Sequence, residues 1–259
     1  VDGDLELSGV QTGQFDVSIA VYSQNFDVSS QDTQPTGLAF NADGTKMFVV
    51  GLAGRDVNEY TLSTGFDVST ASFVDSFSVA GQETSPQGIA FNTDGTKMFV
   101  IGYDGDDVNE YLLSTGFDVS TAAFVDSFSI SGQQTEPYDV AFNATGTKMY
   151  VLGRVPVSVH EYALSTVFDV STASFTDSFS VSSQETTPKG ITFNTDGTKM
   201  FVCGDTGDDV NEYALSTDFD ISTASFTDAF SVSSQDTAPQ AIAFDNTGAK
   251  MFVLGDTGD

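Results

Sequence analysis

Short apolar segments alternate with turn residues along the whole chain. In the unit from Pro35 to Ser85, four such segments follow one another: Gly37–Phe40 (GLAF), Lys46–Gly51 (KMFVVG), Asp56–Leu62 (DVNEYTL) and Ser72–Val79 (SFVDSFSV). The first two are apolar runs bounded by turn residues and the last two alternate, patterns typical of buried and half-buried strands. In the fourth, Phe73, Phe77 and Val79 are expected on one face.

The connections between these segments have different characters. The Asp-Gly between the first two favours a tight hairpin, because glycine accepts the positive φ that such a turn needs. No segment shows sustained helical periodicity, and the connection Ser63–Ala71 is expected to hold a turn or one helical turn. The unit therefore predicts four antiparallel strands.

The unit recurs with a constant step of 51 residues. Its clearest markers are a proline and a Lys-Met pair, at Pro35, Pro86, Pro137, Pro188 and Pro239, and at Lys46-Met47, Lys97-Met98, Lys148-Met149, Lys199-Met200 and Lys250-Met251. Four strands in a unit of roughly 40 to 50 residues indicate a propeller blade. Stacked blades bury the two apolar faces that an isolated four-stranded sheet would expose.

The two ends of the chain each contain part of a unit. Complete units start at 35, 86, 137 and 188; residues 239–259 supply a first and second strand, and residues 1–34 supply a fourth strand and a predicted third at Leu5–Val10. We therefore predict a single all-β domain over residues 1–259, a five-bladed propeller closed by a blade that combines 239–259 with 1–34. The alternative is a piece cut from a longer array.

The repeated blade sequence follows the pattern Gly-apolar-Ala-Phe-x-x-Asp-Gly-Thr-Lys-Met-Tyr/Phe-Val, in which the segment Lys148-Met149-Tyr150-Val151 carries the tyrosine form. This pattern resembles the YVTN and lactonase-like β-propeller repeats over nearly all of residues 15–259. The resemblance implies the propeller fold. It identifies no catalytic residue, because only the repeated scaffold sequence of the blades matches the family. The five-bladed closure is also similar to that of tachylectin-type sugar-binding propellers, but no lectin motif is present.

The charge balance limits the partners. The chain has 37 acidic and 8 basic residues, for a formal net charge of −29. Nucleic acids and anionic membranes are disfavoured, because both bind cationic groups. Metal ions and basic proteins are favoured, and the alternative is that the acidity serves solubility in salt. Acidity, few lysines and polar loops favour an extracellular or particle-surface setting, and no membrane-inserting segment is predicted.

Catalytic motifs are not evident. The sequence has no G-x-S-x-G or H-E-x-x-H motif and no phosphate loop. The lone Cys203 takes the place of Val50, Ile101 and Leu152 and is expected to be a buried apolar residue. The lone His160 replaces an asparagine of the other units and has no second histidine with which to bind zinc. The sequence motifs therefore point to no particular reaction.

Differences between the units locate a candidate binding face. The residue after each proline varies, and so does the link between the second and third strands, which contains Tyr103 and Arg154. Both regions are expected at one end of the blades, around the mouth of the axial channel, where loops on a rigid scaffold usually carry binding residues. Neutral drift of exposed loops is the alternative. The candidate ligand-binding residues are Thr36, Gln87, Tyr138, Lys189, Gln240, Tyr103 and Arg154.

The same links carry acids that are candidate ligands of a calcium site. Asp-rich, Gly-containing loops offer the oxygen ligands that Ca²⁺ prefers. The spacing matches no known calcium loop, and solvated turn acids are the alternative. The candidate metal ligands are Asp104, Asp106, Asp107, Asp205, Asp208 and Asp209.

Three functions remain open from the sequence. The first is a non-enzymatic recognition or attachment module, on a cell surface or a virion-like particle, that binds a glycan or protein through the loop face. The second is a metal-dependent, lactonase-like hydrolase, which needs acids converging on one ion in the channel. The third is a structural repeat of a fibre or coat, which would associate with itself.

Overall fold

The computed structural model describes the backbone of residues 4–8 and all of residues 15–255. The strands fall into four groups according to their place in the unit. The first strands are β3 (Pro35–Phe40), β7 (Pro86–Phe91), β11 (Pro137–Phe142), β15 (Pro188–Phe193) and β19 (Pro239–Phe244). The second strands are β4 (Lys46–Gly51), β8 (Lys97–Gly102), β12 (Lys148–Arg154), β16 (Lys199–Gly204) and β20 (Lys250–Gly255).

The outer half of each sheet contains the other two groups. The third strands are β1 (Asp4–Ser8), β5 (Asp56–Leu62), β9 (Asp107–Leu113), β13 (Val157–Leu164) and β17 (Asp209–Leu215). The fourth strands are β2 (Tyr22–Phe26), β6 (Ala71–Ser78), β10 (Ala122–Ser129), β14 (Ala173–Ser180) and β18 (Ala224–Ser231). A single turn of 3₁₀ helix precedes each fourth strand, at Val17–Ile19, Val68–Thr70, Val119–Thr121, Val170–Thr172 and Ile221–Thr223. The helical turn predicted in this connection is therefore confirmed.

Each sheet has four antiparallel strands in the order first, second, third, fourth. Four blades are continuous in sequence, β3 to β6, β7 to β10, β11 to β14 and β15 to β18, and one further sheet combines β19 and β20 with β1 and β2. The first strands contact one another in the closed cycle β3, β7, β11, β15, β19 and back to β3, so they line the axis. The prediction of an all-β propeller with four-stranded antiparallel blades and a 51-residue repeat is confirmed.

The register of β1 shows which strand of the unit it replaces. Glu6 lies opposite Phe252 of β20, as Glu59 of β5 lies opposite Phe48 of β4. β1 therefore occupies the place of a third strand, as predicted. The structure places it at Asp4–Ser8, whereas the prediction ran to Val10, which lies outside the described residues.

The core lies between neighbouring sheets. Phe48 and Val50 of one blade, for example, pack with Met98, Val100 and Tyr111 of the next, and all five are fully buried. Burying one such side chain contributes about 1.5–3 kcal/mol, so each interface between blades is a substantial source of stability.

Cys203 lies in one of these interfaces and is fully buried. The prediction that it serves as an apolar core residue is confirmed.

The fourth strand departs from its predicted pattern at Phe73, whose side chain is 44% exposed. Phe73 lies opposite Tyr60 and Asp75 lies opposite Glu59, so Val74 is an extra residue that bulges from the ladder. A bulge reverses the side-chain alternation beyond it. The prediction that Phe73 shares the buried face of Phe77 was therefore wrong.

Each hairpin turn depends on its glycine. Gly44 has a φ of +68°, and a Cβ added there would lie 2.3 Å from the ring of Phe66. A larger residue would therefore be strained by its backbone and would also overlap the ring. The Asp-Gly signal in the sequence thus reports a close contact as well as a turn.

Adjacent blades are joined by a lysine–glutamate clamp on the hairpin face. Lys46 Nζ lies 2.6 Å from Glu59 Oε1 and donates to the carbonyl oxygen of Phe117 in the next unit. Glu59 Oε2 accepts from the backbone N–H of Val119 at 3.0 Å. The equivalent ion pairs are Lys97–Glu110, Lys148–Glu161 and Lys199–Glu212, and Lys250 donates to the carbonyl oxygen of Phe66. The lysine that repeats in the sequence therefore connects each blade to the next.

Candidate functional site

A cavity of about 330 Å³, here called the loop-end pocket, opens where the first strands begin. Six of the seven predicted ligand-binding residues line it: Thr36, Gln87, Tyr103, Tyr138, Lys189 and Gln240. Five of them follow the repeated prolines, and the closed cycle of first strands brings equivalent positions of different blades together. The structure therefore places these side chains around one cavity.

Two of the lining residues have structural contacts of their own. The hydroxyl of Thr36 lies 3.0 Å from the carbonyl oxygen of Pro86 and 3.2 Å from that of Val50, so it ties two adjacent blades together. The amide nitrogen of Gln240 donates to the carbonyl oxygen of Ala238 at 3.0 Å. These contacts hold the two side chains in fixed orientations at the pocket wall.

The functional groups of the pocket lie on one side of it, because they come from the units that start at residues 86, 137 and 188. Tyr103 and Tyr138 meet edge to face with ring centroids 5.2 Å apart, and their hydroxyl groups are hydrogen-bonded to each other. Burial, and then the bond to Tyr138, raise the pKa of Tyr103, so its hydroxyl stays protonated at neutral pH. Lys189 Nζ lies 4.2 Å from the centroid of the Tyr138 ring, within cation–π range.

Asp205 lies beside Lys189 and also lines the pocket. Its Oδ2 lies 3.6 Å from Lys189 Nζ, and burial raises its pKa although the lysine opposes that shift. Its Oδ1 is buried and has no hydrogen-bond partner among the described residues. A buried carboxylate oxygen without a donor is an unsatisfied acceptor, a feature that a functional role can explain.

Arg154, the seventh predicted residue, is not among the residues that line the pocket. It is exposed at the end of β12, and its Nε donates to Glu136 Oε2 at 2.6 Å. This bond is the largest cause that raises the pKa of the guanidinium. Arg154 therefore belongs to the rim of the loop face.

The six acids predicted as metal ligands do not converge. Asp104 accepts from Thr84, while Asp107 and Asp209 accept from the amides of Asn109 and Asn211 at 2.7 and 2.6 Å. Asp205 pairs with Lys189. Asp106 and Asp208 lie at equivalent turn positions of different units, with positive φ angles of 46° and 47°. Among the side chains of residues 15–255, no three histidine, cysteine, aspartate or glutamate groups form a metal-binding cluster. The geometry therefore gives the predicted calcium site no support.

A series of buried side chains, missed from the sequence, shapes the loops around the pocket. Glu83 is fully buried and accepts from the backbone N–H groups of Ser85 at 2.7 Å and Asp104 at 3.2 Å. The equivalent residues are Asp32, Gln134, Glu185 and Asp236. Each follows the repeated glutamine and carries a side-chain carbonyl or carboxylate oxygen, and that constancy was the available signal.

Comparison with solved structures finds the same fold at low sequence identity. A protein from Bacteroides uniformis ATCC 8492, provisionally named a 6-phosphogluconolactonase, superposes with a TM-score of 0.55 at 11% identity, over 94% of this chain and 86% of that one. A Bacteroides fragilis NCTC 9343 protein with the same provisional name gives 0.51 at 14% identity, over 89% and 66%. A chain of a nidogen/laminin complex gives 0.54 at 11% identity, over 93% and 81%.

These likenesses establish the propeller fold and nothing finer. No family model and no curated sequence matches the chain. The similar structures nevertheless include proteins that are provisionally named lactonases, consistent with the resemblance of the blade sequence to lactonase-like propeller repeats. None of the helices within the described residues is long and apolar enough to cross a bilayer.

Proposed function

We propose that the loop-end pocket binds a sugar-derived lactone and that the protein hydrolyses it to the sugar acid. The observation that carries this proposal is the buried Asp205 oxygen without a partner, beside Lys189, in a pocket walled by hydroxyl and amide groups. Such a site supplies both an acceptor for a proton and a cation for a developing negative charge. The lactonase names of two similar structures favour this reading over an attachment module.

The lining suits a neutral ring that carries several hydroxyl groups. Sugar hydroxyls donate and accept, and the amides of Gln87 and Gln240 and the hydroxyls of Tyr103 and Tyr138 offer both functions. A phosphorylated ligand is less suited, because Lys189 is the one basic side chain among the residues that line the pocket and the acidic Asp205 lies beside it, while Arg154 pairs with Glu136 at the rim. The net charge of −29 also opposes an anion. The preferred substrate is therefore an unphosphorylated sugar lactone.

Hydrolysis can proceed with the groups present. Asp205 accepts a proton from water, and the water oxygen attacks the lactone carbonyl carbon. Lys189 and the paired tyrosine hydroxyls stabilise the oxyanion that forms. The intermediate collapses by breaking the bond to the ring oxygen, which takes the proton back from Asp205 and becomes the hydroxyl of the open sugar acid. The carboxylate product is anionic, so the field of the protein favours its release.

This mechanism differs from the metal-dependent hydrolase that the sequence left open. That reading required acids converging on one ion, and the described side chains form no such group. The chemistry is assigned here to Asp205 and Lys189. Recognition of a glycan without hydrolysis uses the same lining, so binding and turnover must be measured separately.

The test is hydrolysis of D-glucono-1,5-lactone, followed by pH-stat against the uncatalysed rate, together with calorimetric titration of the lactone and of glucose. We expect Asp205→Asn to lower kcat by about 10²- to 10⁴-fold, the usual contribution of a general base. Asp104→Asn is the matched control, since Asp104 lies in an equivalent link but accepts bonds from Thr84 and Ser85 at the surface.

Each other outcome has a definite meaning. Binding of lactone and glucose with no turnover above background would contradict the hydrolase and support sugar recognition. The absence of both binding and turnover would contradict the hydrolase and the sugar-recognition proposals alike. Equal loss in Asp205→Asn and Asp104→Asn would show that the effect is one of loop structure.

A further inference from the structure

The opposite end of the axial channel contains a second cavity of about 290 Å³, here called the hairpin-end pocket. The first strands end here, and the rings of Phe40, Phe91, Phe142 and Phe244 contribute to its wall. Phe91 is partly buried, and its ring also packs against that of Phe48 in the neighbouring blade, with centroids 4.4 Å apart. The wall combines phenylalanine rings with small aliphatic and polar residues, and one acid, Asp139, lies among the residues that line it.

Asp139 breaks the repeat along the channel. The equivalent positions are Gly37, Gly88, Gly190 and Ala241. A Cβ added at Gly88 would lie 2.4 Å from Asp139 Oδ1, so the small residues of the neighbouring blades leave the space that this carboxyl group fills. The side chain is 7% exposed, and that exposure is to the channel. The site is thus a buried acid in a cavity whose wall also contains phenylalanine rings.

The partners of Asp139 leave its charge unbalanced. Oδ1 accepts from the backbone N–H of Val140 and Oδ2 from that of Ile191, both at 2.8 Å. In the part of the chain that the structure describes, no lysine or arginine forms an ion pair with it. The nearby titratable group is the thiol of Cys203, whose pKa is raised by burial and then by Asp139, so it is neutral. Each carboxylate oxygen keeps capacity for a further donor.

We propose that the hairpin-end pocket binds a small organic ammonium ion, with its nitrogen at Asp139 and its apolar part against the phenylalanine rings. A buried carboxylate is costly unless a cation accompanies it, and the faces of aromatic rings attract cations. The net charge of −29 raises the local concentration of cations further. One acid beside phenylalanine rings, with no cluster of three metal-ligating groups among the described side chains, favours an organic cation over a strongly hydrated metal ion.

Burial supports this assignment, because it raises the pKa of Asp139 to about 7 despite the two backbone hydrogen bonds. A bound cation would favour the ionised form and lower that pKa again. Ligand affinity is therefore expected to fall as the pH is lowered from about 8 to about 5.5, where the carboxyl group holds its proton. This pocket lies at the other end of the six-residue first strands from the loop-end pocket, so the inference does not depend on the proposed lactone chemistry.

The experiment titrates benzylammonium chloride and, as the neutral analogue of the same size, benzyl alcohol, at pH 8 and fixed ionic strength. Asp139→Gly is the first variant, because glycine is the residue that three other units carry at this position. Asp139→Asn is the second, and Asp104→Asn on the loop face is the control. We expect benzylammonium to bind the wild type at least tenfold more tightly than either Asp139 variant, with benzyl alcohol unaffected by the substitutions.

Three results would overturn the proposal. They are no binding of benzylammonium to the wild type at millimolar concentration, equal affinity for the amine and the alcohol, and equal affinity of the wild type and Asp139→Gly for the amine. Thermal unfolding of each variant checks that it is folded. If neither Asp139 variant folds, the wild type alone decides, because benzylammonium affinity that does not fall between pH 8 and pH 5.5 contradicts the assignment.

Discussion

The two faces of the ring are built from the same repeat and yet differ in what the repeat preserves. On the hairpin face, the turn glycine, the Lys-Met pair and the lysine–glutamate clamp occur in unit after unit. On the loop face, the residue after the proline is Thr36, Gln87, Tyr138, Lys189 or Gln240. The difference indicates that the constant positions join the blades and that the variable positions define the chemistry of the loop-end pocket. Asp139 is the exception, a single variation deep in the channel.

The largest difference between the faces should appear when one acid is removed from each. Glu110 is almost fully buried, pairs with Lys97 at 2.6 Å and accepts from the N–H of Val170 at 3.1 Å. Its removal in Glu110→Ala leaves a partly buried lysine unpaired, and we expect a loss of about 3 kcal/mol in the free energy of unfolding. Asp104→Ala on the loop face should cost less than about 0.5 kcal/mol. Urea denaturation measures both, and equal losses would refute the assignment of the clamp.

The next prediction concerns the pH dependence of stability, to which Asp139 in the channel and His160 in the blade interior contribute with opposite signs. Burial lowers the pKa of His160 to about 4, below its unfolded value near 6.5, so stability should fall as the pH drops from about 6.5 to about 4. Burial raises the pKa of Asp139 to about 7, above its unfolded value near 3.9, so its contribution should fall as the pH rises from about 4 to about 7.

Two substitutions taken from the repeat itself resolve these contributions. His160→Asn installs the residue found in three other units, and Asp139→Gly does the same for the channel. Free energies of unfolding measured from pH 4 to pH 8 should show the first slope removed in His160→Asn and the second removed in Asp139→Gly. Identical pH profiles for the wild type and both variants would contradict the two assignments.

The smallest effect is expected from calcium. Because the loop acids are held by their own turns and do not converge, Ca²⁺ should raise the unfolding temperature no more than a monovalent salt of equal ionic strength. A larger shift, reversed by a chelator, would show that the loop face rearranges to bind the ion. Asp205→Asn would then distinguish a site in the pocket from one on the rim.

The sequence predicted much of this fold because the repeat reports each strand several times. Equivalent positions in a closed ring must converge, so the differences between units are enough to predict that Gln87, Tyr138 and Lys189 surround one cavity. Asp139, one residue after Tyr138, differs from its equivalents in the same way, but it lies inside a strand, where variation ordinarily reflects packing. The oxygen-bearing series that includes Glu83 was missed because its residue type varies while its role does not.

Other features depended on geometry that the pattern does not encode. Phe73 is exposed because a bulge at Val74 reverses the alternation; the adjacent apolar pair Phe73-Val74 marks the irregularity in the sequence but does not show which way the side chains turn. Arg154 lies at the rim because β12 extends to it and its side chain turns to Glu136. The loop acids suggested a metal site because the sequence shows how many carboxylate groups each link contains. Ion binding depends on where their oxygen atoms point, which the sequence does not show.

The lysine clamp makes the protein sensitive to amine chemistry. All of the lysines at the repeated positions donate to partners in their own or the next blade, and Lys189 pairs with Asp205. At lysine side chains, acylating reagents that couple proteins to sensor surfaces or dyes would therefore attach where blades meet or at the loop-end pocket. A thiol introduced at an exposed fourth-strand position such as Ser76 avoids both, since the native Cys203 is buried.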